Sequence, residues 1–196
     1  MEREKIKKLT HFLYEMGTLK NIRRSHQSAF AKDDADNIAS HSFHAAVIGY
    51  FLAKELKADC NKVVKMCLFH DMEETRAGDQ NWINKKYVKV FEEEIRDDQV
   101  KELPHGGEIA ELMKEYDERQ TMEAKIAKDA DLLNQIFLLR DYEHRGFREA
   151  GRWLHHGEES EYEKIMSTDL AKEIAREAKE QSPHDWWQNF WTNNRR

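Results

Sequence analysis

The sequence predicts an all-α protein, and three observations support that fold class. The 196 residues include only 8 glycines and 2 prolines, the residues that most often interrupt helices. Charged residues make up 36% of the chain, and many of the others are Ala and Leu, which are good helix formers. Alternating runs of β-branched residues bounded by turn residues are nearly absent, so a sheet has little to be built from.

The N-terminal part of the chain is predicted to contain three helices. The first carries apolar residues at helical spacing and ends at Gly17. Residues 18–37 interrupt this pattern and are polar, as expected of a loop that caps the next helix. A strongly apolar helix follows over residues 40–56, and a third helix has Asp59 or Asn61 as its cap. The residues of the second helix that are expected in the core are Phe43, Val47, Ile48, Phe51, Leu52 and Leu56.

Four helices are predicted in the remainder, separated by turn signals at Gly78-Asp79 and at 103–107. The segment 145–160, rich in Gly and His, is predicted to be an irregular connection. The four helices cover residues 82–100, 107–118, 121–144 and 161–180. The residues that the first of these would turn inward are Trp82, Tyr87, Val88, Phe91 and Ile95.

The last segment is predicted to be a short helix with Ser182 as its cap and Pro183 at its first position. Its aromatic residues, expected to pack on the body of the protein or on a second subunit, are Trp186, Trp187, Phe190 and Trp191. No repeat, low-complexity tract or linker divides the chain. We therefore predict one domain over residues 1–196, with a core at 9–145 and C-terminal helices at 161–194 packed on it.

Charge and hydropathy limit the possible partners. A net charge of −6 argues against binding a nucleic acid polymer, whose phosphates require a basic face. A small phosphorylated substrate is compatible, because a bound cation and one or two arginines can reverse the local field of a pocket. No apolar run approaches the ~20 residues that cross a bilayer, and the N-terminus carries no apolar signal region. We expect a cytoplasmic protein without a membrane partner or a disulfide framework.

Polar residues inside apolar helices mark a candidate metal site. His70-Asp71 ends an apolar helix, and His41 lies in the preceding core helix. Asp129 and Asp131 both interrupt an apolar stretch, but residues two apart cannot share a helix face, so at most one of them points at a common site. Imidazole and carboxylate together suit a divalent cation, which would also compensate the cost of a buried carboxylate.

The order His … His-Asp … Asp is the signature of the HD superfamily of metal-dependent phosphohydrolases, and the chain resembles its 5′-deoxynucleotidase-like branch. NIASHS at residues 37–42 is similar to that branch's SVSEHS, and HDMEETRAGD at 70–79 is similar to HDxxExxxGD. EAKIAKDAD at 123–131 is similar to EAKxxKxxD, which favours Asp131 over Asp129 as the last ligand. The resemblance covers residues 9–145.

The resemblance implies an HD-domain helical bundle that forms a homodimer and holds one divalent metal ion. The metal would be Mn²⁺, Co²⁺ or a similar transition ion, because two imidazoles favour transition metals. Mg²⁺ is the alternative. HD phosphodiesterases with two metal ions need additional histidines between the HD pair and the last Asp. Only His105 lies there in this chain, so a single-metal site is expected. The implied metal ligands are His41, His70, Asp71 and Asp131.

The resemblance also implies roles around the metal. Glu74 would handle the proton of the attacking water, and Asp79 would act near the substrate after a Gly turn, while Glu73 is expected on a solvated face. Arg24 is the best match for the family's phosphate-binding Arg. His26 stands near the position of a stacking Trp that this sequence lacks, so we count it as substrate-binding.

The expected substrate is a small phosphomonoester, most concretely a (deoxy)ribonucleoside 5′-monophosphate hydrolysed to nucleoside and phosphate. An alternative keeps the metal and changes the substrate to a cyclic nucleotide or a guanosine polyphosphate. Relatives that act on guanosine polyphosphates carry Glu-Asp where this chain has Glu74-Thr75, which counts against that substrate. A further alternative is a non-catalytic, metal-containing nucleotide sensor.

Overall fold

Helices account for nearly all the regular structure in the computed structural model, which describes residues 2–29, 36–155 and 161–188. Within these residues the only strand-like feature is one antiparallel bridge between Arg23 and Asn37, so the all-α prediction is confirmed. The α-helices are α1 (Arg3–Gly17), α2 (Ile38–Glu55), α3 (Cys60–Phe69), α4 (Glu74–Ala77), α5 (Trp82–Tyr87), α6 (Glu92–Val100), α7 (Gly106–Glu118), α8 (Met122–His144), α9 (Arg148–Leu154), α10 (Glu161–Ile165), α11 (Asp169–Glu180) and α12 (Asp185–Gln188).

Side-chain caps fix where several helices begin. The Asp59 carboxylate accepts a hydrogen bond from the Lys62 amide at the start of α3, which decides between the two predicted caps. Thr121 caps α8 in the same way, as predicted, through the Ala124 amide. Such caps satisfy amides that have no partner inside the helix.

α8 forms the centre of the fold, with α2, α3, α7, α9 and α11 packed around it. Most of its circumference is buried, so it presents residues to several neighbours at once. Its completely buried apolar side chains include Ile126, Leu133, Ile136 and Leu139. A helix enclosed in this way can place a polar side chain in the interior of the protein, where a metal site needs it.

The prediction for the buried face of α2 is wrong for its bulkiest residues. Phe43 and Phe51 are 67% and 63% exposed, and Val47 is also exposed. The buried face carries small residues instead, among them Gly49, where an added Cβ would lie 2.9 Å from Val63 Cγ1 of α3. Small residues let the two helix backbones approach closely, and that requirement outweighs the burial of large side chains.

The predicted helix over residues 82–100 is two helices, α5 and α6, separated by an extended residue at Val88. The predicted inward set is wrong for Trp82, Tyr87, Val88 and Phe91, which are all at least half exposed. α6 buries Arg96 and Gln99 beside Val100, so its inner face is largely polar. An apolar repeat cannot reveal a face of this kind.

Three further differences concern the C-terminal third. α9 lies within the segment predicted to be irregular, of which residues 156–160 fall outside the described residues. The predicted helix 161–180 is broken into α10 and α11 by residues 166–168. Trp186 and Trp187 stack on each other and are exposed on this chain, and the predicted C-terminal segment beyond residue 188 falls outside the described residues.

Over the described ranges, no helix combines the length and apolarity needed to span a membrane.

Candidate metal centre

Two buried imidazoles face each other at the centre of the fold. His41, in the second turn of α2, and His70, directly after α3, place their Nε2 atoms 3.1 Å apart. His70 Nδ1 donates a hydrogen bond to the Cys67 carbonyl at 2.9 Å, and His41 Nδ1 donates one to Asn134 Oδ1 at 2.5 Å. Both Nδ1 atoms therefore carry a proton, and both Nε2 atoms point at the same place.

Two carboxylates complete the cluster. Asp71 Oδ2 lies 3.4 Å from His41 Nε2 and 3.2 Å from His70 Nε2. Asp131 Oδ1 lies 3.2 Å from His41 Nε2 and 3.9 Å from His70 Nε2. The other Asp131 oxygen accepts a 2.6 Å hydrogen bond from Lys128 Nζ, one turn earlier on α8, which orients the carboxylate. The ligand atoms of His41, His70 and Asp71 all lie within 4.8 Å of one another, and Asp131 borders the same two histidines.

The spacing of these atoms fits a divalent cation. Adjacent ligands that each lie about 2.1 Å from an ion are about 3.0–3.4 Å apart in octahedral or tetrahedral coordination. Four of the five nitrogen–nitrogen and nitrogen–oxygen distances in the cluster fall between 3.1 and 3.4 Å. Two unprotonated Nε2 atoms would repel each other at this separation, so either a cation or a proton lies between them. The donor set of two nitrogens and two carboxylates matches that of a transition-metal site.

The electrostatics of the cluster keep its carboxylates ionised. Burial opposes the charged form of Asp71, but the neighbouring His70 and His41 outweigh it and lower the pKa of that carboxyl. For Asp131, burial is likewise outweighed by Lys128 and His41, and the pKa falls well below its usual value. Burial and Arg24 act to lower the pKa of His41, yet the two carboxylates raise it to about 9. The cluster therefore attracts positive charge.

Asp129 is excluded from the cluster by its own hydrogen bonds. Its carboxylate is completely buried and accepts hydrogen bonds from the Ser167 and Thr168 amides, both at 2.8 Å, and from the Thr168 hydroxyl at 2.7 Å. It thereby holds the segment that leads into α11. Of the two candidate aspartates, only Asp131 points towards the histidines.

The candidate metal site opens into a cavity of about 260 Å³. Arg24 enters this cavity from a segment whose backbone pairs with the start of α2, since the Arg24 amide donates to the Asp36 carbonyl at 2.9 Å. Its guanidinium Nη1 lies 3.8 Å from Asp71 Oδ2, and Nη2 donates to Gln135 Oε1 at 3.1 Å. Arg24 Nε has no hydrogen-bond partner within the described part of the chain. The guanidinium is therefore fixed beside the metal cluster with one donor left over.

His26 and Asp79 lie on the same cavity and contact each other's segment. Asp79 Oδ2 accepts a hydrogen bond from the Ser25 amide at 2.6 Å and lies 4.0 Å from His26 Nδ1. His26 Nε2 lies 2.8 Å from Gln135 Oε1. Burial, together with the Arg24 charge, lowers the His26 pKa to about 4, so the ring is neutral at neutral pH. Asp79 holds the loop that carries Arg24 and His26.

The two glutamates after Asp71 both face the interior. Glu74 lines the cavity, and burial, with the Asp71 and Asp79 charges adding to it, raises its pKa to about 10. Glu73 was expected on a solvated face, and that prediction is wrong: it is 6% exposed, 3.9 Å from Arg96, and burial raises its pKa to about 8. The chain turns after His70 instead of continuing as one helix, which brings both side chains inward.

The site also contains residues that the sequence alone did not single out. Asn134 and Gln135 follow Asp131 on α8 and are buried; one contacts His41 and the other contacts Arg24 and His26. Trp153 and Tyr162 line the cavity from α9 and α10. The signal for Asn134 was its position three residues after Asp131, a predicted ligand, on the same helix face. The two aromatic residues carried no local signal.

Comparison with known proteins shows which family the chain belongs to. A model of the HD domain matches residues 16–180. The 5′-deoxynucleotidase HDDC2 of Dictyostelium discoideum is 28% identical over 140 residues, which span 65% of this chain and 73% of that protein. Its counterpart from Homo sapiens is also 28% identical over 140 residues, 69% of this chain and 68% of that protein.

Solved structures give the same picture of the fold. A conserved hypothetical protein from Pyrococcus furiosus has a TM-score of 0.70 and 27% identity, covering 85% of this chain and 99% of its own. The cyanophage S-2L HD phosphohydrolase DatZ, bound to dA and one catalytic Zn²⁺ ion, has a TM-score of 0.53 and 18% identity, covering 86% and 96%. At that identity the second likeness concerns the fold alone.

Proposed function

Since this chain belongs to the HD-domain family and is a metal-dependent phosphohydrolase, we propose that it hydrolyses a nucleoside 5′-monophosphate, most concretely a deoxyribonucleoside 5′-monophosphate, to nucleoside and phosphate. The observation that carries this proposal is the position of Arg24. Its guanidinium lies beside Asp71 of the metal cluster, buried, with an unused Nε donor, in the cavity that the cluster lines. Relatives named 5′-deoxynucleotidases support the choice of substrate.

In this proposal His41, His70, Asp71 and Asp131 hold one divalent ion, of a transition metal such as Mn²⁺ or Co²⁺. When bound there, the ion stabilises negative charge on the phosphoryl oxygens and makes a neighbouring water more acidic. Arg24 binds the phosphate through its planar guanidinium, the geometry that suits phosphate oxygens. Gln135 and Asp79 keep Arg24 and its loop in place.

Glu74 takes the proton of the attacking water. A carboxylate must be ionised for this role, and the raised pKa of Glu74 reflects burial beside two other carboxylates. A cation held by the four ligands would offset the Asp71 charge and so favour the ionised form of Glu74. Asp79 and His26 form the wall of the substrate space next to Arg24. The His26 ring is neutral, so it adds no charge beside the Arg24 guanidinium.

We also infer a homodimer that works in the cytoplasm. The outer face of α2, formed by Phe43, Val47, Tyr50 and Phe51, supports the homodimer, because these residues repeat at helical spacing and are exposed on the single chain. The cytoplasmic setting stays a prediction from the sequence.

The proposed function is tested by removing the metal, adding back Mn²⁺ or Co²⁺, and measuring phosphate release from 5′-ribo- and deoxyribonucleotides. We expect metal-dependent release with a preference for deoxyribonucleoside monophosphates. Glu74→Ala should lower kcat by about 10²–10⁴-fold and keep the metal, because general base catalysis contributes on that scale. Glu93→Ala, on the exposed first turn of α6, is the matched control and should behave as wild type.

Absence of release from every monophosphate, with metal demonstrably bound, would show that the nucleotidase proposal is wrong. Release from a cyclic nucleotide or a guanosine polyphosphate in the same panel would assign one of those substrates. Metal and nucleotide binding without any turnover would identify a sensor.

A further inference from the structure

One wall of the cavity is built from aromatic rings. The ring centroids of Trp82 and Trp153 are 6.0 Å apart, with their planes inclined at 31°. Tyr162 lies 6.4 Å from Trp82, at 34°. All three residues line the cavity that Asp71 and Asp131 also line. The rings come from α5, α9 and α10, so their meeting does not follow from the amphipathic repeat of a single helix.

Trp82 stands out in this wall because so much of it faces outward. Its side chain is 68% exposed. Its backbone is fixed, because it begins a helix that Asn81 caps by accepting hydrogen bonds from the Ile83 and Asn84 amides at 3.0 Å. Its neighbour Trp153 is half-buried and Tyr162 is buried. A large exposed indole on a fixed backbone, at the edge of a polar site, is a surface on which a flat apolar group can stack.

A continuous series of contacts connects the metal cluster to this wall. Arg24 Nη1 lies 3.8 Å from Asp71, and Arg24 shares Gln135 Oε1 with His26, at 3.1 and 2.8 Å respectively. The His26 ring centroid is in turn 6.4 Å from that of Trp153. The order is therefore cation site, guanidinium, polar middle and aromatic wall. A mononucleotide presents phosphate, sugar and base in the same order.

His26 itself is poorly suited to stack on a base. Its Nε2 is held by a 2.8 Å contact to Gln135 Oε1, so the orientation of the ring is fixed by a polar partner. An imidazole also offers less flat area than an indole. The larger flat surface on this cavity is the aromatic wall of Trp82, Trp153 and Tyr162.

We propose that Trp82 and Trp153 together bind the nucleobase of the substrate by stacking, while Arg24 and the metal cluster bind its phosphate. The inference rests on the proposed function and specifies how the substrate is recognised. Stacking uses the π-face that every base has, so these residues select a nucleotide over a bare sugar phosphate with little preference among bases. Purines gain slightly more because their flat area is larger.

The test compares 2′-deoxyadenosine 5′-monophosphate with 2-deoxyribose 5-phosphate, which has the same phosphate and sugar and no base. We expect Trp82→Ala and Trp153→Ala each to raise KM for the nucleotide about tenfold and to leave KM for the sugar phosphate unchanged. Trp82→Phe and Trp153→Phe should restore part of the loss. Trp187→Ala, which removes an exposed tryptophan outside the cavity, is the control and should change neither KM.

Equal losses on both substrates would overturn the proposal, because Trp82 and Trp153 would then act only through folding. Unchanged KM values in both variants would overturn it as well. If the wild type hydrolyses neither compound, the proposed function fails and a fluorescence titration of the metal-loaded protein with deoxyadenosine decides the stacking. Quenching that is reduced in Trp82→Phe and Trp153→Phe but kept in Trp187→Phe would support stacking; no quenching in the wild type would overturn it.

Discussion

At the residue scale, the orientation of His41 depends on Asn134. The Asn134 side chain accepts a hydrogen bond from His41 Nδ1 and contacts His44 Nδ1 through its Nδ2, at 2.5 and 2.9 Å. Because the Asn134 oxygen accepts the Nδ1 proton's hydrogen bond, His41 Nε2 stays directed into the cluster. Asn134 and Asp131 lie one turn apart on α8, so one helix supplies both a proposed ligand and the partner that positions another.

We expect Asn134→Ala to weaken metal binding by about 10- to 100-fold, the usual effect of losing the partner of a metal-bound histidine. Asn134→Asp keeps an acceptor for His41 and should retain most of the affinity. His44→Ala leaves that acceptor in place and serves as the control. Competition with a chelator measures the affinity, and wild-type affinity in Asn134→Ala would contradict this role.

At the scale of elements, a polar network holds the segment that follows the proposed metal ligands His70 and Asp71. Glu15 of α1 accepts hydrogen bonds from Arg76 at 2.7 Å and from Thr75 at 3.0 Å, both in α4. Gln99 of α6 donates to Glu15 and to the Thr75 hydroxyl, both at 2.8 Å. Two helices that are far apart in sequence, α1 and α6, thereby fix α4, which carries Glu74.

Replacing Glu15 by Gln should lower the free energy of unfolding at pH 7 by about 1–2 kcal/mol, since hydrogen bonds to a charged group are lost. The Arg76 hydrogen bond, opposed by burial, holds the Glu15 pKa below its ordinary value of 4.5. The stabilisation is therefore complete above that ordinary value and is lost as the pH falls through the lower, folded-state pKa. Wild type and variant should differ at pH 7 and converge in acid.

Denaturant unfolding at a series of pH values measures this difference. Glu108→Gln is the control, because Glu108 pairs with Lys65 on the exposed surface, where ion pairs contribute little. A gap between wild type and Glu15→Gln that stays constant down to strongly acidic pH would contradict the assignment.

At the scale of the whole molecule, the outer face of α2 is the feature that a single chain leaves unexplained. Phe43 and Phe51 are more than 60% exposed on the helix that also carries His41. A face of this kind favours association with a second copy, which would cover it. The buried face of the same helix is occupied by α3 and α8.

We expect the protein to be a dimer by light scattering and the double variant Phe43→Ser/Phe51→Ser to be a monomer that keeps its helical circular dichroism. Tyr87→Ser, which changes an equally exposed aromatic residue on α5, should leave the mass unchanged. A wild type that is monomeric at high concentration would show that the homodimer proposal is wrong.

Much of the fold follows from local information. Thr121 and Asp59 cap helices where the sequence predicts, and α7 and α8 begin and end within one residue of the predicted bounds. Caps and periodicity act over a few residues, which is why they are visible in the sequence. His41, His70-Asp71 and the aspartates at 129 and 131 mark a candidate metal site because they interrupt apolar helices, and the resemblance to the HD superfamily favours Asp131.

The tertiary structure decided what depends on residues far apart in the chain. Only the close packing of α2 on α3 determines that Gly49 is buried and Phe43 is exposed. Only the three-dimensional fold brings Asn134 to His41 and Trp153 to Trp82. The sequence by itself therefore determined the all-α class, the helix caps and the candidate ligands. Which faces are buried and what surrounds the ligands required the fold, because those free energies arise from contacts between distant segments.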